Sequence, residues 1–262
     1  MRERLLAGGI VLVSIAVAVV AGEMRRGDTE GARCAPGFVA KGPRCIAPAG
    51  FVVPDQRVLV PSASIAVGPS DWEAQGQVTA RTIHADAFRI DAFEVTRGML
   101  DPSAADPFRA ASGVTRAEAS SFCASRGGRL PTEDEWVVAA DSAMNPPRRY
   151  PWGDTGAVCR RAAWGLESGP CASAADAPDT VGAHLDGDSP LGLHDMAGNV
   201  AEWVSDEPHP GVGLAKGGSW RSALAAELRI WARLEAPPDA HDARVGFRCI
   251  YPVAQPDGQR DH

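Results

Sequence analysis

The sequence lacks any concentrated block of positive charge. Its 262 residues carry a net charge of −7 with a pI near 5.4, and basic residues stand together only in short pairs such as Arg148 and Arg149. A protein that holds nucleic acid through its phosphates needs a basic patch or stripe. The charge pattern therefore argues against nucleic acid as a partner.

Cysteine pairs with metal-ligand spacing are also missing. The chain has six cysteines, yet no Cys-x-x-Cys pair occurs among them. Structural zinc sites usually need such closely spaced thiolates. The cysteines are therefore not expected to hold zinc.

Long periodic segments are scarce, particularly after residue 141. The 28 glycines and 21 prolines instead predict many turns and modest regular structure, which argues against a helical bundle. With 45% hydrophobic and 23% charged residues, the composition is that of an ordinary globular protein. The length suits one large domain or two small ones.

The first 22 residues predict export. Arg2 and Arg4 precede residues 5–22, which include no charged side chain. This stretch is either a secretory signal peptide cleaved after Ala21 or an uncleaved helix that anchors the protein in a membrane. Both alternatives place the rest of the chain outside the cytoplasm, as a secreted, periplasmic or membrane-anchored protein. Residues 23–33 are small and polar, and they follow as a linker.

An even number of cysteines in an exported protein predicts disulfide bonds. Two pairs are close in sequence and would staple local loops, the first of them in the Pro- and Gly-rich segment at residues 34–50. The remaining two cysteines would form the third bond by elimination. The predicted pairs are Cys34–Cys45, Cys159–Cys171 and Cys123–Cys249.

Two segments carry helix-start signals. Each begins with a threonine that has a glutamate three residues later, which is the pattern of a capping box, and apolar residues then follow at helical spacing. The threonines are Thr115 and Thr132. The predicted helices cover residues 115–125 and 131–140.

Short alternating segments predict β-strands. FRIDAFEVT (88–96) alternates as one or two strands with a bulge, and AEWVSD, AKGGSW, LRIWAR and VGFRCI are short runs between Gly and Pro turns. Two helices and several short strands predict an α+β fold for residues 51–252. The polar residues 253–262 are expected to form a disordered tail.

Six segments occur in a fixed order along the chain: GGRLPTEDEW, YPWGD, SPLGLHDMAGNVAEW, KGGSW, RIWAR and VGFRC. Together they resemble the formylglycine-generating enzyme family, the sulfatase-modifying-factor domain, over roughly residues 57–251. The resemblance implies a C-type-lectin-like fold with two helices, short antiparallel strands and many irregular loops. It also implies a bond between Cys123 and Cys249.

Enzymes of that family use copper(I), held by a pair of thiols, and oxygen to convert a sulfatase cysteine to formylglycine. The positions that match these thiols are Ser222 and Glu227 here, and Ser219 matches a serine near the reactive centre. A hydroxyl and a carboxylate are hard oxygen ligands, whereas copper(I) prefers soft thiolates. Copper and the family's oxidase activity are therefore not expected. Ala201 stands where the family has a tryptophan, which predicts one altered wall of the reactive pocket.

The GLHDMAGNVAEW segment matches a structural calcium loop of the family. By that resemblance, the ligands are the Asp195 side chain, the Gly198 and Val200 carbonyls and the Glu202 carboxylate. Carboxylates mixed with backbone carbonyls are the oxygen set that calcium prefers. The alternative is a plain turn, in which Asp195 caps the backbone and Glu202 is solvated or salt-bridged. The family's second calcium loop maps to residues 161–163 and is expected to be lost.

Loss of both thiols from an otherwise complete frame predicts a non-catalytic recognition or scaffold module of the cell envelope. Its ligand, an envelope protein or a glycan, would contact the loops at residues 99–112, 205–215 and 222–240. Two enzymatic alternatives remain. One is the family's oxidation of a protein thiol, and the other is a different chemistry in the same pocket, with Glu227 as general acid or base.

Overall fold

The computed structural model describes residues 34, 37–41, 44–48, 51, 53–69, 78–144 and 148–253. The predicted N-terminal segment and linker (1–33) lie outside these ranges, as do residues 254–262 of the predicted tail. Within the ranges, no helix has the length and apolar character that crossing a membrane would require.

Short elements separated by long loops make up the described chain. Its α-helices are α1 (Arg97–Leu100), α2 (Arg116–Ser125) and α3 (Glu133–Asp141). Two 3₁₀ helices cover Leu185–Gly187 and Ala225–Leu228. The strands are β1 (Val39–Lys41), β2 (Arg44–Ile46), β3 (Arg57–Val60), β4 (Ala63–Val67), β5 (Arg81–Ala85), β6 (Phe88–Asp91), β7 (Ala201–Trp203), β8 (Gly213–Lys216), β9 (Arg233–Ala236), β10 (Val245–Gly246) and β11 (Ile250–Pro252).

The strands form small sheets. The largest has the order β10-β7-β8-β9, in which β7 runs parallel to β10 and antiparallel to β8. A second sheet has the order β11-β6-β3 with antiparallel pairs, and β4–β5 and β1–β2 are antiparallel hairpins. Few helices and short, mainly antiparallel strands confirm the predicted α+β class.

Capping boxes begin both of the predicted helices. Thr115 accepts a hydrogen bond from the Glu118 N–H, and the Glu118 carboxylate accepts one from the Thr115 N–H at 2.8 Å. Thr132 and Glu135 exchange the same two bonds. Each box satisfies two backbone N–H groups that the helix leaves without a partner, so the ends of α2 and α3 are set by local sequence.

Three of the predicted strands are wrong in detail. AKGGSW is a strand only at Ala215 and Lys216, where β8 ends, because the two glycines that follow adopt positive φ angles and turn the chain. LRIWAR forms the end of a 3₁₀ helix and a turn, and strand β9 begins only at Arg233. The cause is local, because the Glu227 carboxylate accepts the Leu224 N–H at 2.8 Å and stabilises the 3₁₀ turn. VGFRCI is divided between β10 and β11, which lie in different sheets, with the fully buried Phe247 and Arg248 between them.

The predicted ligand loops are partly regular. Helix α1 overlaps the first loop (99–112), because Thr96 caps a short helical turn that the sequence pattern does not predict. Strand β8 overlaps the second loop (205–215) and strand β9 the third (222–240), because these strands pair with each other in the largest sheet.

All three predicted disulfides are present. Cys123 of α2 is bonded to Cys249, which directly precedes β11, with a Cα–Cα distance of 5.4 Å. Cys34–Cys45 and Cys159–Cys171 close short loops. No cysteine of the chain is left as a free thiol. Three disulfides are compatible with an extracellular location, where thiols are oxidised.

The core fixes α3 against the largest sheet. Trp136 of α3 is fully buried in a cluster with Ile90 of β6 and Leu214 of β8. Trp203 of β7 and Phe247 belong to a second cluster, which includes the long-range disulfide. Burial of these large side chains holds β7 and β8 rigidly in place, so the loops at their ends have a fixed base.

Candidate functional site

The site begins where strand β8 ends. After Lys216 the chain turns at Gly217 and Gly218, whose φ angles are 93° and 71°. A side chain at Gly218 would place its Cβ only 2.6 Å from the Glu227 carbonyl oxygen. Glycine here therefore permits both the left-handed turn and the close approach of the segment that begins at Ser219 to the segment that ends at Glu227.

Ser219, Ser222 and Glu227 line one cavity of about 240 Å³. The structure thus brings together the three residues that match the family's reactive positions. Ser219 and Ser222 are 2% and 7% exposed, so their side chains belong to the buried wall of the cavity. Their roles stay a prediction, because position alone does not establish chemistry.

Ala201 does not contribute to this cavity. It is fully buried in strand β7, within an apolar cluster, and the cavity lining does not include it. The altered pocket wall at this position stays a prediction, because the lining shows where the alanine lies and not what a tryptophan would contribute. Strand β7 itself is an inner strand, paired with β10 on one side and β8 on the other.

The side chains at the positions that match the family's thiols bind the backbone of their own loop. Ser222 Oγ accepts the Ser219 N–H at 3.1 Å, and Glu227 Oε2 accepts the Leu224 N–H at 2.8 Å. Ser219 Oγ in turn accepts the Arg221 N–H at 3.3 Å. These bonds satisfy backbone donors and hold the loop in one conformation around the cavity.

Three arginines also line the cavity, and the sequence pattern gives no signal for two of them, Arg221 and Arg244. Each of the three is held by a carboxylate through its Nε and Nη2 atoms. The pairs are Arg221–Glu167 (3.2 Å), Arg233–Glu133 (2.5 Å) and Arg244–Asp242 (2.7 Å). Pairs this exposed contribute little to stability, but a two-point contact fixes the orientation of a guanidinium.

The charged side chains around Arg244 lie close enough to shift one another's pKa values. The pKa of Arg244 is raised by its hydrogen bonds with Asp242, and the negative charge of Glu227 raises it further. The pKa of Asp242 is lowered by its hydrogen bonds with Arg244, with a smaller contribution from the charge of Arg221. Cations and anions therefore alternate along the cavity.

A buried lysine of strand β8 shares a carboxylate of helix α3 with Arg233 of the cavity lining. Lys216 Nζ lies 3.2 Å from Glu133 Oε1, and Arg233 donates to both oxygens of the same carboxylate at 2.7 and 2.5 Å. Burial lowers the pKa of Lys216 to about 8, although the Glu133 charge opposes the shift. Lys216 is therefore still mainly protonated at neutral pH, and the pair ties strand β8 to α3.

A second group of acids comes together around the start of β7, with Asp195 in the loop before the strand and Glu202 in the strand itself. Asp195 and Glu202 are buried, and Glu94, from the segment that follows β6, is fully buried beside them. Glu94 accepts hydrogen bonds from the Asn199 side-chain amide at 2.5 Å and from the Val200 N–H at 3.1 Å. Burial raises the pKa of Glu94 well above its usual range, and the charges of Asp195 and Glu202 raise it further.

The Glu202 carboxylate is bound by Arg248. The guanidinium Nε and Nη2 donate to its two oxygens at 2.8 and 2.6 Å, and the Trp136 indole N–H donates to it at 2.8 Å. Both members of the ion pair are almost completely buried. Glu202 therefore forms the salt bridge that the turn alternative expects.

The loop fits calcium in charge and in donor type. Glu94, Asp195 and Glu202 bring three carboxylates into one buried region, and Arg248 is the cation that hydrogen-bonds to one of them. The remaining negative charge would be stabilised by a cation.

The fit of the individual ligands is uneven. Arg248 and Trp136 already engage both oxygens of Glu202, whereas Asp195 uses Oδ2 for the Gly182 N–H at 2.5 Å. Asp195 is therefore the better side-chain ligand. No group of three or more His, Cys, Asp or Glu side chains in the described residues could hold a metal ion. An ion in this loop would depend on backbone carbonyls.

Comparison with known proteins places the chain in a family. It matches the Sulfatase-modifying factor enzyme 1-like domain over residues 102–253, which is more than half of its length. It is 31% identical over 158 residues to Inactive C-alpha-formylglycine-generating enzyme 2 of Bos taurus, a match that covers 54% of this chain and 50% of that protein. It is 33% identical over 155 residues to Formylglycine-generating enzyme of Streptomyces coelicolor, covering 50% of this chain and 49% of that protein.

The chain thus spans about half the length of these two curated relatives. Among solved structures, PvdO from Pseudomonas aeruginosa superposes with a TM-score of 0.65 and 18% identity, over 79% of this chain and 100% of that one. At this identity the likeness concerns the fold alone. It supports the C-type-lectin-like fold of the formylglycine-generating enzyme family. The chain belongs to the Sulfatase-modifying factor enzyme 1-like domain family.

Proposed function

We propose that this protein is a recognition or scaffold module of the cell envelope that does not carry out the thiol oxidation of its catalytic relatives. The observation that carries the proposal is the composition of the cavity. Ser222 and Glu227 occupy the positions of the thiol pair, and all six cysteines of the chain are in disulfides. Copper(I) would therefore meet hard oxygen atoms and no thiolate.

Two further observations support the proposal. One relative that the chain resembles over half of its length is itself named as an inactive enzyme. The three disulfides and the predicted N-terminal signal or anchor are both in keeping with a place outside the cytoplasm.

A different enzymatic use of the cavity would depend on Glu227 as general acid or base. Its Oε2 accepts the Leu224 N–H at 2.8 Å, so the carboxylate already has a structural task in the loop. No nucleophilic thiol lies beside it, because every cysteine is oxidised. The geometry therefore favours recognition over a second kind of catalysis.

The test compares the natural chain with a variant in which both thiols are restored, Ser222→Cys with Glu227→Cys. Each protein is supplied with copper(I) and oxygen and incubated with a peptide that contains Cys-x-Pro-x-Arg. We expect no peptide conversion by mass spectrometry and no bound copper for the natural chain, whereas the double variant retains copper. Conversion of the peptide by the natural chain would overturn the proposal, as would retention of copper by the natural chain.

We also propose that the loop from Asp195 to Glu202 binds calcium as a structural ion. Asp195 and the Gly198 and Val200 carbonyls would hold it, and Glu202 would contribute while remaining paired with Arg248. Such an ion would compensate buried negative charge and stabilise the turn before β7.

A further inference from the structure

The cavity presents hydrogen-bond donors that find no acceptor in the described chain. The hydroxyls of Ser219 and Ser222 each accept a backbone N–H, but neither hydroxyl hydrogen has a partner among the described residues. The buried indole N–H of Trp231, another lining residue, also lacks an acceptor there. A buried donor without an acceptor is costly, so this wall would be stabilised by a ligand that brings acceptor atoms.

The three arginines add oriented donors to the same wall. Their acidic partners engage Nε and Nη2 in every case, and the Nη1 group of each has no partner within the part of the chain that the structure describes. A guanidinium that is already held in place loses little freedom when it binds a further group. Carboxylates and phosphates are the acceptors that arginine binds most favourably.

The charge balance limits how negative the ligand can be. Each arginine is paired with a carboxylate, and the lining residue Glu227 balances the charge of Lys216, which shares Glu133 with Arg233. A polyanion would therefore gain no net attraction, whereas a single carboxylate could use the oriented N–H groups. Glu227 would accept hydrogen bonds from hydroxyls of the same ligand.

The size of the cavity limits the ligand as well. Its volume of about 240 Å³ lies just below the range of about 300–1,000 Å³ that is usual for sites of drug-sized ligands. One small ring with its substituents fits this volume. Only one residue of a longer ligand chain could enter the cavity.

We propose that the cavity binds a small hydroxylated carboxylic acid, in particular the uronic acid residue of a glycan. Its carboxylate would meet the Nη1 groups of the arginines, and its ring and hydroxyl oxygens would accept from Ser219, Ser222 and Trp231. Its hydroxyl hydrogens would bind Glu227. The inference rests on the proposed function, because it assigns the cavity to recognition and names the class of ligand.

The test measures binding of methyl glucuronoside and methyl glucoside to the full chain by isothermal titration calorimetry. The two glycosides differ only in the carboxylate. We expect the glucuronoside to bind at least tenfold more tightly. Arg244→Gln should weaken glucuronoside binding at least tenfold, and Ser222→Ala should weaken it severalfold. Arg81→Gln is the matched control, because Arg81 is also held by one carboxylate and is as exposed as Arg244, at 41%, but lies outside the cavity lining.

Equal affinity for the two glycosides, no binding of the glucuronoside, or unchanged binding by Arg244→Gln would each overturn the inference. If Arg244→Gln fails to fold, as judged by circular dichroism, then Ser222→Ala and the comparison of the two glycosides on the natural chain decide the question. Lack of glucuronoside binding would leave the proposed recognition function standing with a different ligand. Oxidation of the peptide by the natural chain would instead remove the proposed function itself.

Discussion

Replacement of Arg248 by methionine tests how the buried Glu202 of β7 and the acids beside it are stabilised. Arg248 is fully buried, and all of its N–H groups donate hydrogen bonds. Two bind Glu202 at 2.6 and 2.8 Å, and the others bind the carbonyls of Asp91, Ala92 and His194 at 3.2, 3.1 and 2.7 Å. Methionine keeps the apolar length of the side chain but removes every donor and the charge.

Two effects set the expected loss of stability. Removing one partner of a buried ion pair costs about 3–5 kcal/mol, because the other charge is left buried without compensation. The His194 carbonyl would also lose its donor, which adds about 1–3 kcal/mol, whereas the Ala92 carbonyl keeps its bond from the His194 N–H at 2.9 Å. We expect the free energy of unfolding to fall by about 4–8 kcal/mol, out of the roughly 5–15 kcal/mol that native proteins possess.

The measurement is urea denaturation with the disulfides intact and with a calcium chelator present, so that no calcium ion can replace the lost charge. Arg248→Met combined with Glu202→Gln removes both charges and should recover at least about 2 kcal/mol of the loss. Arg81→Met, which breaks an exposed pair with Asp134, should cost less than about 1 kcal/mol. A loss below about 1 kcal/mol for Arg248→Met, or a double variant as unstable as the single one, would refute the reasoning.

Three further predictions concern other parts of the fold. Calcium at a hundredfold excess over its Kd should raise the free energy of unfolding by about 2.7 kcal/mol over chelator, and Asp195→Ala should abolish the difference; identical melting curves for the natural chain would contradict calcium binding. Loss of the Cys123–Cys249 bond through paired alanine substitutions should cost about 5 kcal/mol, against roughly 3 kcal/mol for the Cys34–Cys45 bond, because the sequence separations are 126 and 11; equal losses in urea denaturation would count against the loop-length argument. Burial raises the pKa of Asp141 to about 6, so the folded state keeps a proton that the unfolded state has released between about pH 4 and 6, and stability falls as the pH rises through that range. Asp141→Asn should therefore gain on the order of 1 kcal/mol at pH 7.5 and nothing at pH 4, and a gain that does not depend on pH would sink this explanation.

The elements that depend on neighbouring residues were predictable from the sequence. A capping box needs only a threonine and a glutamate three positions apart, and both boxes, at Thr115 and Thr132, are present in the structure. The strand predicted for LRIWAR was wrong because the apolar residues of this segment do not lie in a strand. Leu228 and Ile230 are buried from a 3₁₀ helix and a turn, which bury apolar side chains as well as a strand does.

The buried acids could not be found in this way. Glu94 lies between Phe93 and Val95, and Arg248 lies between Phe247 and Cys249, which is the alternation of a strand with one face in solvent. In the structure both polar residues face inward. Alternation cannot distinguish a side chain that faces water from one that meets a buried partner far along the chain.

Two of the arginines that line the cavity could not be predicted from the sequence either. Resemblance to a family indicated Ser219, Ser222 and Glu227, whereas no pattern in the sequence separates Arg221 and Arg244 from other surface arginines. What distinguishes these two is a tertiary contact, since each is fixed by a carboxylate beside the same cavity. The two arginines reach one cavity because the loops after β8 and after β9 converge in the folded chain.

The residues at the positions that match the family's thiols have a structural role in this chain. Ser222 and Glu227 each accept a backbone N–H of their own loop, at 3.1 and 2.8 Å. Cysteine sulfur is a weak acceptor, so thiols at these positions would leave both N–H groups poorly satisfied. The frame of α3, β7 and β8 uses neither residue, because its core is formed by large apolar side chains. Hydrogen-bond acceptors at these two positions therefore stabilise the loop without disturbing the core, which is in keeping with the recognition role proposed above.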